Sequence, residues 1–155
     1  MGTNPRRILV AVSDPEQLPD LVGLACALAG SQRNLEIHAL HVLVIPRTLP
    51  VDAEMQGEVA RGEALLAKAE EVAEARGGRR VRTDLLQARE AGPAILEEIN
   101  EKSIDTVVLG SCRRRAFGER AFGDTVEYVT KRARCRVVIA VPPEPAARVQ
   151  EGGHP

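Results

Sequence analysis

The sequence predicts a doubly wound α/β domain: a five-stranded parallel sheet in the order 3-2-1-4-5, with helices on both faces. Three observations carry that prediction. Short continuous apolar runs recur at residues 8–12, 37–45, 106–109 and 137–141, the pattern of strands covered on both sides. Between them the apolar period changes to helical. The two patterns alternate in the order β-α-β-α-β-α-β-α-β, and right-handed crossovers then place helices on both faces of one sheet.

The first run is followed by Asp14-Pro15-Glu16-Gln17. This puts a carboxylate at the N-cap, proline at the first helical position and glutamine at the capping-box position. Leu21, Leu24, Ala25 and Leu28 then recur at helical spacing. The second run is broken only by His38 and His41, which point to opposite faces and so cannot form one metal pair. Residues 43–53 contain two prolines and read as a loop. Met55, Val59, Leu66, Ala69 and Val72 form the stripe of a second helix, ended by Gly77-Gly78. Residues 81–87 alternate weakly, with Val81, Thr83 and Leu85 to one side, as suits an edge strand. Gly92-Pro93 opens a third helix with Ala91, Ala94, Ile95 and Ile99 on its inner face. A fourth helix starts near Thr125, with a capping box from Asp124 to Glu127 and an inner row of Val126, Val129 and Ala133.

A chain of 155 residues fits one such domain. We expect a flexible N-terminus over 1–5, the α/β domain over 6–142, and a disordered Pro/Gly-rich tail over 143–155. Aromatics make up only 2% of the chain and net charge is −1. Stacking platforms for single-stranded nucleic acid are therefore lacking, and no global field favours nucleic acid or membrane. No apolar stretch reaches the roughly 20 residues needed to span a bilayer. Cys26, Cys112 and Cys135 have no zinc spacing and read as free thiols in a reducing compartment, which points to the cytoplasm.

The segment GSCRRRAFGERAFGDT, from Gly110 to Thr125, joins the fourth strand to the fourth helix. A glycine loop in that place offers unpaired N–H groups and a positive helix end to an anion. Before the helix start, the loop also carries Arg113, Arg114, Arg115 and Arg120 against a single acid, Glu119. The crevice expected at the strand carboxyl ends, between the first and fourth strands, would be lined by this loop and by Ser13 and Asp14. Two readings of the loop stand side by side, a solvated arginine-rich surface and a phosphate site, with a protein-partner surface as a third. Asp124 and Asp14 read first as helix caps. Cys112 reads as a small filler at the crevice mouth, and Phe117 and Phe122 as anchors of the loop.

The chain resembles the universal stress protein family over about residues 6 to 142. The resemblance rests on RRILVAVSDPEQ, ALHV, AGPAILEEI and the segment DTVVLGSCRRRAFGERAFGDTVEYVTKRARCRVVIAV. It implies binding of ATP, ADP or AMP, with Mg²⁺ only alongside ATP. It also implies the phosphates on Gly110, Cys112, Arg113, Arg114, Arg115, Gly123, Asp124 and Thr125, the adenine near the backbone of Val42, and Ser13 and Asp14 framing base and sugar. The ATP-binding pattern of that family has glycine where Arg113 stands and Ser or Thr where Asp124 stands. A side chain at 113 makes close backbone approach to phosphate harder. An ionised Asp124 has only acceptors and would repel phosphate by about 1 to 4 kcal/mol per charge pair at 4 Å.

The function expected is thus a regulatory protein binding a nucleotide or another phosphate-bearing small ligand. The alternative is a nucleotide-free dimeric module. The PRTLP segment resembles domains that accompany amino-acid transporters and antiporters. In both readings the last strand, Arg136 to Val141, is an open sheet edge through which a homodimer is expected. No catalytic Ser-His-Asp set, carboxylate pair or metal cluster can be assembled. A phospho-receiver domain would need an Asp ending the third strand and a Lys ending the fifth. Those places hold residues near Gln87 and Pro142.

Overall fold

The central strand-forming runs pair side by side in parallel because they are apolar enough to be covered on both faces, and the weaker run at 81–88 joins at an edge. In the computed structural model, which describes residues 6–111 and 123–143, the element order is β1 (Arg7–Ala11), α1 (Leu18–Ala29), β2 (Glu36–Val44), α2 (Gln56–Ala75), β3 (Val81–Ala88), α3 (Ala91–Glu101), β4 (Thr106–Gly110), α4 (Gly123–Arg132) and β5 (Arg136–Ala140). The sheet order is β3-β2-β1-β4-β5, all parallel. The predicted fold class and strand order are those observed. β3 and β5 are the two edges.

β1 is the spine. Ile8 pairs with Ile37 on one side and Thr106 on the other. Ile8, Leu9 and Val10 are wholly buried. Their alternation splits the core in two. Ile8 and Val10 join Ile37, Ala39 and Val108 beneath α1 and α2. Leu9 joins Leu40, Val107 and Leu109 beneath α3 and α4. Each face buries mostly Val, Ile and Leu, and such side chains stabilise by about 1.5–3 kcal/mol each when fully buried.

Three local readings need correction. α1 starts at Leu18, not at Pro15. The Asp14 carboxylate accepts from the Glu16 N–H at 2.9 Å, and its carbonyl accepts from Gln17 and Leu18 at 3.2 and 3.0 Å. That is an Asx turn, which uses the cap before the helix begins. The buried face of α1 is Leu18, Leu21, Val22, Ala25, Cys26 and Ala29, while Leu24 and Leu28 are only partly buried at its flank. A helix laid between a sheet and a second helix buries a wider face than one i, i+3, i+4 row. In α4, Asp124 lies within the first turn rather than before it.

α2 shows a contact that its apolar stripe conceals. A Cβ at Gly62 would lie 2.7 Å from both His41 Cδ2 and Leu85 Cδ1. Glycine there lets the helix settle onto β2 and β3. Below the sheet, the Asp105 carboxylate accepts from the Arg6 and Arg7 N–H groups at 2.7 and 2.9 Å, fixing the entry of β1. Lys102 joins Asp84 on β3 to Glu98 on α3, which is itself buried.

Candidate functional site at the strand carboxyl ends

The exits of the central strands are tied together by hydrogen bonds. The Val12 N–H donates to the Leu40 carbonyl at 2.8 Å, and His41 Nδ1 meets the Val12 carbonyl at 2.9 Å. The Ser111 N–H donates to the Ala140 carbonyl at 3.0 Å, extending β4 by one residue along β5. Between β1 and β4, Gln17 crosses from the foot of α1. Its Nε2 donates to the Ser111 carbonyl at 3.2 Å, and its Oε1 stands 2.5 Å from where a Cβ on Gly110 would be. The absence of that Cβ leaves room for the Gln17 amide.

The open space lies on the other face of the sheet. A groove of about 600 Å³ runs between the start of α3 and α4, with Val44 at its end. Its wall includes Asp124, Thr125, Tyr128, Lys131 and Arg132 from α4, and Arg89, Glu90 and Gly92 from the α3 entry. Tyr128 packs against Gly92, where a Cβ would come 2.9 Å from the ring. Arg132 stacks over the same ring at 4.0 Å, a cation–π contact. Arg89 donates to the Pro46 carbonyl at 2.6 Å, which pins the loop after β2. The groove lining carries Arg89, Lys131 and Arg132 against Glu90, Asp124 and Glu127, so its described part is charge-balanced.

Of the sequence-predicted site residues, Asp124 and Thr125 line this groove. Gly123 precedes them with a φ of 75°, a left-handed value that glycine adopts without strain. Val42 lies on the α3/α4 face of the sheet, the face it shares with Val44 two residues on. Gly110 faces α1 and Gln17 instead. Ser13 is exposed past the end of β1, and Asp14 is occupied by its turn. Cys112, Arg113, Arg114, Arg115, Phe117, Glu119, Arg120 and Phe122 lie outside the described residues, as do 1–5 and the tail from 144.

Sequence reasoning missed Ser111. It is 4% exposed, and its Oγ has no hydrogen-bond partner among the described residues. A buried hydroxyl without a partner is costly unless something completes it. Its place between Gly110 and Cys112 was the available signal. Tyr128 was missed too, because a lone tyrosine on an amphipathic helix gives no pattern.

Cys26 is buried and Cys135 partly so, and both are free. Burial pushes both thiols above their ordinary value, which makes them poor nucleophiles. Among the described residues no group of three His, Cys, Asp or Glu could hold a metal ion. Nor, among them, is any helix long and apolar enough to cross a membrane.

An all-parallel sheet in this order, with helices on both faces, defines the doubly wound class of α/β domains. The chain belongs to the universal stress protein family, which it matches over residues 4–141. Solved structures show the same fold. The universal stress protein from Archaeoglobus fulgidus superposes with a TM-score of 0.69 at 20% identity, covering 86% of this chain and 96% of that one. A universal stress protein from Archaeoglobus fulgidus in complex with dAMP gives 0.66 at 18% identity, covering 86% and 95%. An Arabidopsis thaliana member with AMP bound gives 0.63 at 19% identity, covering 92% and 97%. No curated protein sequence matches the chain.

Proposed function

We propose that this protein is a nucleotide-binding regulatory member of its family, taking AMP, ADP or ATP at the carboxyl ends of β1, β2 and β4. The observation that carries the reading is the groove at the first turn of α4, with the Ser111 hydroxyl at the exit of β4 unpartnered among the described residues. Relatives of the same fold were solved with dAMP and AMP, which supports an adenine nucleotide as the ligand class. In this reading Val42 and Ser13 frame the base and sugar. Gly110, Gly123, Thr125 and the arginines at 113–115 hold phosphates, with Mg²⁺ accompanying only ATP. The free Cys26 and Cys135 thiols fit the cytoplasm.

β5 is a sheet edge, and Val141 beyond it is an exposed apolar residue. Both support a homodimer formed by antiparallel pairing of two β5 strands. The alternative reading, a nucleotide-free dimeric module of the kind that accompanies transporters, is favoured by Asp124, which takes the place of the Ser or Thr in the family's ATP-binding pattern and whose charge would repel a phosphate held there.

Titration calorimetry of the purified protein with AMP, ADP and Mg-ATP tests the proposal. Saturable binding below about 1 mM supports it. No heat and no thermal shift at millimolar nucleotide would replace it with the alternative.

A further inference from the structure

At the opposite end of the sheet, where β1, β2 and β3 begin, the surface is hollowed on either side of Arg33. One hollow, of about 420 Å³, lies between the α1–β2 turn and the α2–β3 turn. Arg33, Arg76, Arg79 and Arg80 surround it, with the buried Cys26 at its floor. The second, of about 640 Å³, shares Arg33 and adds Arg6 and Arg7. Among the described residues Glu36 is the only acid lining either hollow, and it is already engaged by His38, Arg7 and Arg82. Arg33, Arg76, Arg79 and Arg80 have no ion pair among the described residues. The chain as a whole is at −1, so this is local segregation of charge.

Two of these arginines are held in place. Arg79 Nη2 donates to the Gly30 carbonyl at 2.6 Å, across the hollow's mouth. The Arg76 head rests on α1 at Gly23, where a Cβ would come 3.3 Å from its Cζ. Gly77 and Gly78 turn the chain with φ of 133° and 68°, and a Cβ on Gly77 would meet nothing within 4 Å. The turn therefore leaves the hollow open above.

Four guanidinium groups make no ion pair among the described residues, although Arg79 is bonded to the Gly30 carbonyl and the Glu74 carboxylate stands 3.9 Å from where a Cβ on Gly78 would be. Their mutual repulsion is relieved by a compact multivalent anion through charge-assisted, bidentate bonds. A single negative charge would balance only one of them. The lining has no aromatic residue on which a base could stack, which argues against a nucleic-acid strand. Its volume falls within the range of small-molecule sites. We propose that this hollow is a second anion site, separate from the groove at the carboxyl ends, for a small molecule carrying two or more phosphate groups.

The test is an ¹⁵N NMR titration of the full chain with inorganic pyrophosphate, then tripolyphosphate. Saturable shifts at Gly30, Ser31, Gly77 and Gly78 are expected, tighter for tripolyphosphate. The variant Arg33→Ala/Arg80→Ala removes two exposed heads that make no bond in the fold, and it should weaken binding at least about tenfold. The same variant should take AMP at the groove as the parent does, so loss of one site is distinguishable from loss of the other. The proposal is overturned by shifts confined to Gly110, Gly123, Asp124 and Thr125. It is equally overturned by no shift at about 10 mM, or by a variant that binds pyrophosphate as tightly as the parent.

Discussion

Gln17 lies over Gly110, at 2.5 Å from the position a Cβ would take, and donates to the Ser111 carbonyl at 3.2 Å. The two residues are fitted to one another. Gly110→Ala would push the amide aside and break its bond, and Leu21 Cδ1 at 3.1 Å leaves little slack on the other side. The expected cost is about 1 kcal/mol, the net worth of such a hydrogen bond plus slight crowding. In a Gln17→Ala background the same change should cost less, with a coupling of about 0.5 kcal/mol or more. Urea unfolding of the four proteins measures it, and equal costs in both backgrounds would contradict the fit.

Asp124 stands in the first turn of α4, where a carboxylate favours the helix dipole by about 0.3–1 kcal/mol. Asp124→Ser should therefore lower the melting temperature of the ligand-free protein slightly. It should also tighten nucleotide binding about tenfold, since it removes a charge that would repel phosphate and supplies a hydroxyl donor. Calorimetry with ATP beside a thermal melt reads both effects. Unchanged or weaker binding would remove Asp124 from the proposed phosphate site.

Lys102 neutralises two carboxylates, and the Glu98 side chain is 8% exposed. Lys102→Met leaves that carboxylate buried without its partner, at an expected cost of about 1–3 kcal/mol. Adding Glu98→Gln should recover most of it. The pH dependence has a definite sign. Burial alone would push the Lys102 ammonium down, but its bonds to Asp84 and Glu98 outweigh this and hold it above its ordinary value of 10.5. Its contribution is thus full below pH 10.5 and fades as pH rises through the folded value. Unfolding of parent and Lys102→Met should converge at strongly alkaline pH, and a constant gap would refute the assignment.

Glu36 titrates in the opposite sense. The His38 ring bonded to its carboxylate, with Arg82 and Arg7 beside it, holds it below its ordinary value of 4.5 despite some desolvation. Its contribution is present above pH 4.5 and disappears as pH falls through the folded value. Melts of the parent and Glu36→Gln should differ modestly near neutrality and coincide once the pH has fallen below the folded value. A difference that persists in acid would assign the effect to packing instead.

The fold was legible because burial on both faces writes itself into composition: Ile8 to Val12 and Thr106 to Leu109 admit few other readings. Strand order followed from the alternation with helices. What escaped was specific to contact. Gly62 stands in no sequence pattern, and only the approach of His41 and Leu85 explains it. Asp14 looked like a helix cap, yet its side chain closes an earlier turn, a choice between two local geometries that share one residue pattern. At the candidate site, glycine spacing and Asp124 were legible, whereas Ser111 and Tyr128 gain meaning only from burial and from what packs on Gly92. The arginines spread from Arg6 to Arg80 share no sequence motif, so their convergence at one pole needed the topology.

Because β1 is paired on both flanks, Ile8 cannot complete its contacts until Thr106 has been made. A ribosome releases β1, β2 and β3 first, and the outer flank of β1 stays bare while α3 and β4 are still being synthesised. Strands joined only by crossovers close slowly, and bare strand edges recruit other chains. The centre of the finished sheet is thus the most vulnerable line of the nascent one, and a holding chaperone would have to shield it during that interval.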